Sequence, residues 1–210
     1  MNKVFIALVA IVAGLLAYLT YESVATPVRF DKVQIEREKE LQKKLKKIAN
    51  YQDAYEDVYD RFASREELTE FLTSGKLYYV KAEGVYTDEM REKGLSEQEA
   101  AQKGLIVRDT TWVSAKDSLL KDGTDVATLF NVLNTNNKIS VVAAYIEQVA
   151  GQDTIQVPVF EATIPFEAYL ADQDQKRLEL KKAERKKKAN SYAGLRIGSL
   201  KEVKMTGNWE

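Results

Sequence analysis

Residues 41–62, LQKKLKKIANYQDAYEDVYDRF, carry a stripe of side chains on which the interpretation of the fold depends. Seven positions in this stretch follow one another at alternating spacings of four and three residues. This is the spacing of one face of an α-helix or of a coiled-coil seam. The stripe consists of Leu41, Leu45, Ile48, Gln52, Tyr55, Tyr59 and Phe62. Because residues 28–75 contain no proline, and no glycine before Gly75, the sequence predicts a long amphipathic helix here.

The stripe has two interpretations. It can join this chain to copies of itself or to other single-span proteins, or it can pack on the chain's own sheet, as most amphipathic helices of globular proteins do. The aliphatic members favour the first interpretation, so Leu41, Leu45 and Ile48 are the predicted partner-binding residues. The bulky rings farther along suit a helix-on-sheet core. Ser64 with Glu67 three residues later forms a capping box, which predicts that a second helix starts there and ends at Gly75.

The chain also carries an apolar run near its beginning, from Val4 to Tyr21. These eighteen residues contain no charge, and as a helix they extend about 27 Å, close to the thickness of a bilayer hydrocarbon core. The small residues at Ser23 and Ala25 leave cleavage as a signal peptide open as an alternative. The length of the run favours a retained transmembrane helix of the inner membrane, with the amino end inside and the bulk of the chain extracytoplasmic.

Beyond the helical part, short β-like runs predict an α+β fold with a small antiparallel sheet. The clearest signal is KISVVAAYIEQVAGQDTIQVPVFEATIP, two apolar runs that predict a hairpin, with Pro158 placing the second strand towards the sheet edge. The predicted division is a transmembrane anchor at 1–27, a helical stalk at 28–75, an α+β domain at 76–171, a basic helix at 172–191 and a terminal β-hairpin segment at 192–210. The stalk is expected to pack on the sheet at its distal end.

The composition argues against an enzyme. The chain has neither cysteine nor histidine, which removes the thiolate nucleophile, the commonest general base near neutral pH and the commonest metal ligand. Carboxylates remain as catalytic candidates, namely Asp53, Asp57 and Asp60 on the helix and Glu147 and Glu161 on the predicted hairpin. A carboxylate pair can hydrolyse glycosides, but none of these pairs has a distinctive sequence context. The sequence therefore predicts no catalysis, no cofactor, no metal and no small-molecule substrate.

A basic run extends from Lys176 to Lys188, with eight basic and two acidic side chains. It suggests an alternative function, binding of an anionic polymer or of lipid headgroups, in which Lys186, Lys187 and Lys188 make the contacts. A solvated helix face is the plainer interpretation of such a run. It lacks the interleaved aromatic residues of single-strand binders, and we expect no nucleic-acid partner.

The layout around LKKIANYQDAYEDVYDRFASREELTEFLTSGKL resembles that of type IV pilin-like proteins, especially pseudopilins of secretion systems. The resemblance implies a membrane helix that runs into an amphipathic helix packed on an antiparallel sheet. The glycine cleavage point and the Phe-Thr-Leu-Ile-Glu-like start of that family are absent here. Single-span assembly proteins of the same machines share the layout without that site. Either resemblance implies a non-catalytic structural subunit of a cell-envelope assembly.

Overall fold

The computed structural model describes residues 3–133, 135–150, 153–187 and 191–210. The fold is α+β, as predicted from the sequence. A helix of 57 residues, α1 (Lys3–Tyr59), runs without interruption through the apolar run, Pro27 and most of the stripe. The remaining helices are short, and the strands form two separate antiparallel sheets. The chain divides into two compact units: the first unit comprises residues 1–49 and 130–210, and the second unit comprises residues 50–129.

The first unit contains a three-stranded sheet in the order β3 (Ser140–Ala150), β4 (Asp153–Pro165) and β5 (Gly194–Gly198). The predicted hairpin is confirmed, since β3 pairs with β4 from Ser140↔Thr163 to Ala150↔Asp153, although the turn at Gly151 and Gln152 lies outside the described residues. β4 is the central strand rather than an edge strand. However, β5 pairs only with Glu161–Pro165, so Pro158 lies in the part of β4 that β5 does not reach.

Two further helices of the first unit follow β4 directly. They are α7 (Phe166–Leu170) and α8 (Gln175–Lys186), and α8 is the helix expected from the basic run. The core combines one side of α1 with the sheet and these helices. Its fully buried large side chains are Phe30, Leu41, Leu45, Ile48, Ile139, Phe160, Ile164, Phe166 and Tyr169.

The last segment of the chain closes the sheet of the first unit. β5 requires glycine at Gly198, where φ is +76° and an added Cβ would lie 2.3 Å from the carbonyl oxygen of Phe160. After β5 the chain turns back, and Ile197 forms a bridge with Gly207. The side chain of Asn208 bonds to backbone groups of Gly194 and Arg196. The terminal segment, predicted as a β-hairpin segment, therefore pairs with the chain's own sheet.

The second unit contains the end of α1, α2 (Arg65–Ser74) and a two-stranded ribbon of β1 (Lys76–Glu83) and β2 (Val107–Ser114). Four short helices complete it: α3 (Asp88–Glu92), α4 (Glu97–Gln102), α5 (Ala115–Leu119) and α6 (Val126–Leu129). The capping box of Ser64 and Glu67 is confirmed, and α4 begins with the same arrangement. The Arg61 guanidinium and the hydrogen bonds from Ser64 lower the pKa of the Glu67 carboxyl to about 2.

The structure divides the chain differently from the predicted domains. The predicted stalk, 28–75, belongs partly to the first unit and partly to the second, and burial begins at Phe30, which is 2% exposed. The proximal part of the stripe is therefore covered by the chain's own sheet unit. In the second unit Tyr55 packs on Phe71 of α2, with ring centroids 5.2 Å apart, so a helix rather than a sheet covers this part of the stripe. Tyr59 stays half-exposed.

Candidate functional site

The apolar run forms the most exposed apolar surface of the first unit. Its side chains from Val4 to Tyr21 are all exposed, with Val4 and Ile11 at 78% and 72%. Among the described residues, α1 is the one helix that is long and apolar enough to cross a membrane. An isolated chain in water leaves this surface uncovered, which is unfavourable for so large an apolar area.

The polar surface of the first unit begins shortly after this run. Glu22 is the first charged residue after it, and Arg29 lies 3.5 Å from the Glu22 carboxylate. Phe30 is then buried, and the carboxylate of the next residue, Asp31, forms ion pairs with two basic side chains of α8. Arg177 and Lys181 lie 3.6 and 3.2 Å from the two carboxylate oxygens of Asp31. These contacts fix the basic helix beside the part of α1 that directly follows the apolar run.

Other contacts hold α8 against the first unit. Leu178 is 1% exposed and supplies the apolar contact. Lys182 bonds to Glu167 of α7 at 2.5 Å and to Glu179 at 2.8 Å. Burial acts to raise the pKa of Glu167, but the hydrogen bond from Lys182 and the charges of Lys182 and Lys186 outweigh it, so this pKa lies below its ordinary value. On the buried side of α8, Leu178 thus makes the apolar contact, and the basic side chains near it form ion pairs with acidic residues of the first unit.

A second set of contacts joins α1 to the end of α7. The guanidinium of Arg37 donates two hydrogen bonds to Asp172, at 2.5 and 2.7 Å, and one to the carbonyl oxygen of Tyr169, at 2.6 Å. The bidentate contact lowers the pKa of the Asp172 carboxyl to about 2. The Tyr169 hydroxyl donates to Glu38 at 2.8 Å, and burial raises the pKa of this phenol.

Arg37, Tyr169 and Asp172 border a cavity of about 610 Å³ that also contacts Thr135 and Asn137. Two of its polar groups are bonded within the protein, because Arg37 binds Asp172 and the Asn137 amide donates to the carbonyl oxygen of Ala168 at 3.1 Å. The carboxylates of Glu36 and Glu40 also line the cavity. Arg37, Tyr169 and Asp172 position α1 in the first unit, and no sequence motif marks them.

The predicted partner-binding residues lie inside the first unit. Leu41, Leu45 and Ile48 are each 0% exposed. They are core residues of this chain, and they leave no surface to which a partner could bind while the unit is folded. The reason is that the spacing of the stripe fits the chain's own sheet unit as well as it fits a coiled-coil seam. Any partner surface on the folded chain must consist of other side chains.

The predicted anionic-surface residues fall at the end of α8. Lys186 and Lys187 are exposed, whereas Lys188 lies outside the described residues. Lys186 acts electrostatically on Glu167. Farther towards the start of α8, Lys176 is exposed as well. The exposed lysines therefore lie at both ends of the helix, and its middle is occupied by internal ion pairs.

The carboxylates considered for catalysis do not form an isolated pair. Glu147 lies opposite Gln156 and Glu161 opposite Val142 in the register of β3 and β4, which puts the two carboxylates on opposite faces of the sheet. Glu161 also lies 3.6 Å from Arg196. In the second unit, burial and the charge of Asp57 raise the pKa of Asp53. Asp53 and Asp57 lie one turn apart on α1, whereas Asp60 follows the last residue of that helix and was wrongly predicted to lie on it.

Sequence reasoning missed the exposed aromatic face of the ribbon in the second unit. Tyr78 and Trp112 lie opposite each other in the register, with ring centroids 5.5 Å apart, and they are 40% and 56% exposed. Val80 on the same face is 53% exposed. Alternation in the strands predicts which side chains share this face, but only the structure reveals that no described segment covers it. Contiguous exposed apolar surface of this kind is typical of interaction sites.

The part of the chain that the structure describes contains no group of three or more acidic, cysteine or histidine side chains placed to hold a metal ion. Comparison with protein-family models, with curated proteins and with solved structures finds no match to this chain.

Proposed function

We propose that this chain is a single-pass membrane protein and acts as a non-catalytic structural or interaction subunit of a cell-envelope assembly. The observation that carries the proposal is the uncharged run from Val4 to Tyr21, which is exposed around its whole circumference and continues within one helix into the core at Phe30. A bilayer is the environment that covers such a surface along its whole circumference. A core helix of a soluble protein would instead bury one side of the run.

The proposed topology has the amino end inside and the folded units outside an inner membrane. Lys3 and the amino terminus supply positive charge at one end of the run, and Tyr18 and Tyr21 supply interfacial rings at the other. The interaction role is supported by the exposed Tyr78 and Trp112 face of the second unit. The absence of histidine and cysteine from the sequence and the separation of Glu147 from Glu161 favour binding over catalysis.

The membrane part of the proposal is tested by alkaline carbonate extraction of native membranes, followed by the intact mass of the retained protein. We expect a membrane-retained species of the full 23.8 kDa. Replacing Val12 and Leu15 with lysine places two charges at mid-run, each costing about 3 kcal/mol on insertion, and should release the protein. The matched control replaces the exposed Val142 and Val203 with lysine, which should leave extraction unchanged. Release of the parent protein by carbonate would overturn the proposal.

The interaction part is tested by photo-crosslinking in membranes with the crosslinker at position 80. Val80 is 53% exposed and lies on the face of the ribbon that carries Tyr78 and Trp112. We expect adducts either with a second copy of the chain or with another single-span envelope protein. The control places the same crosslinker at the exposed Lys103, which follows the last residue of α4. Absence of any adduct specific to position 80 would remove the Tyr78 and Trp112 face from the proposed interaction surface.

A further inference from the structure

The contacts of α8 with Asp31 place it close to the end of the apolar run. Asp31, which binds Arg177 and Lys181, follows Glu22 by nine residues, or about 14 Å along the helix axis. The headgroup layer of a bilayer extends about 5–8 Å beyond the hydrocarbon core on each side. A helix with its side chains has a radius of about 5–6 Å. If α1 crosses the membrane upright, the α8 side chains that bind Asp31 lie about 6–9 Å beyond the headgroup layer, a gap comparable to the radius of a helix.

We propose that α8 binds the anionic phospholipid headgroups of the bilayer that α1 crosses, an inference that rests on the proposed membrane span. The helix and the residue after it, 175–187, contain seven basic and two acidic side chains. Its acidic partners elsewhere in the first unit are Asp31 and Glu167. Positive charge therefore remains in excess after the internal ion pairs are formed. Lys176 and Lys187 are exposed and form no ion pair with a described residue.

The uncovered face of α8 also has the composition of an interfacial helix. Lys176, Leu180, Ala183 and Lys187 follow at spacings of four, three and four residues, so they share one face of the helix. Leu178, which is buried, lies on the opposite face. Leu180 is 50% exposed although it is a large apolar residue. A face with leucine between lysines can insert its apolar side chain at the headgroup boundary while the lysines contact phosphates.

The full-length chain is suited to a single-label test because it contains no cysteine. A Leu180→Cys variant is labelled with an environment-sensitive fluorophore and reconstituted into phosphatidylcholine vesicles with or without phosphatidylglycerol. Flotation of the vesicles reports membrane insertion by α1 independently of the label. We expect flotation with both lipids, and a blue shift of the label only with phosphatidylglycerol. High salt should reverse this shift because it screens the lysine–phosphate attraction.

Charge variants connect the signal to specific lysines. Lys176→Gln with Lys187→Gln should weaken docking by about fivefold for each lysine, which abolishes most of the blue shift. The matched control, Lys93→Gln with Lys103→Gln, removes two exposed lysines of the second unit and should leave the shift unchanged. All four positions are exposed, and in a Trp112→Phe background the fluorescence of Trp209 verifies that the first unit is folded.

Each outcome decides between the proposals. A protein that floats while its label reports the same environment with both lipids overturns headgroup binding but leaves the membrane span. A protein that does not float overturns both. A shift produced equally by soluble polyphosphate without vesicles identifies an anionic polymer as the ligand and overturns the lipid assignment.

Discussion

Replacing Leu45 with alanine distinguishes a core position from a partner seam. Leu45 has no exposed surface in the folded first unit. Truncating a fully buried leucine costs about 2–5 kcal/mol, from the lost transfer free energy and the cavity that remains. This is a large share of the 5–15 kcal/mol by which a typical domain is stable. If Leu45 instead faced a partner and were exposed in the isolated chain, the same change would cost only about 0.5 kcal/mol.

The two tryptophans make the measurement specific to one unit. Trp209 lies in the first unit and Trp112 in the second, so a Trp112→Phe background leaves Trp209 as the only fluorescent indole. Urea unfolding is followed in detergent micelles. With a denaturant slope of about 2 kcal/mol per M, Leu45→Ala should lower the midpoint by about 1–2.5 M. The control is Leu180→Ala at a half-exposed position, and a shift for Leu45 no larger than that of Leu180 would refute the burial argument.

Two further predictions concern polar contacts. Gln52→Ala should destabilise the second unit by about 2–4 kcal/mol, because the side chain of Gln52 bonds to both backbone groups of the buried Ala63, at 2.7 and 2.8 Å, and the change leaves them without a partner. Urea unfolding followed by Trp fluorescence measures this loss, and the control Gln102→Ala at an exposed site should change the stability little. The carboxyl of Asp172 has its pKa lowered from 3.8 to about 2 by Arg37, so its contribution to stability is complete above pH 4 and is lost as the pH falls to about 2. Asp172→Asn should flatten this pH dependence, by no more than about 1 kcal/mol since the pair is partly exposed, and an unchanged acid profile would contradict the assignment.

Features with a local cause were predictable from the sequence. The capping boxes at Ser64 and Ser96 need only residues within one helical turn, and the structure contains both. The hairpin of β3 and β4 was indicated by two apolar runs around a short polar turn. The α+β fold class followed from the change of apolar spacing after the stripe. In each case the responsible contacts lie close together in the sequence.

Features set by distant contacts were not predictable in this way. Spacings of four and three residues at Leu41, Leu45 and Ile48 fit a partner helix and an internal sheet equally well, and the choice depends on segments more than eighty residues away. The basic run indicated a helix but did not reveal that Asp31 holds Arg177 and Lys181. The charge count alone therefore overstated the part of the run that is available to an external anion.

The continuity of α1 makes weak headgroup contacts effective in the proposed topology. A flexible linker between the apolar run and the first unit would let α8 sample a large volume away from the bilayer. Here one side of the same helix that carries the run is buried from Phe30 onward, and Asp31 on that helix binds α8 directly. Docking of α8 is then an intramolecular step with a high effective concentration of lipid. Contacts worth about 1 kcal/mol for each exposed lysine can orient the first unit on the membrane surface, although they would not recruit a soluble protein to it.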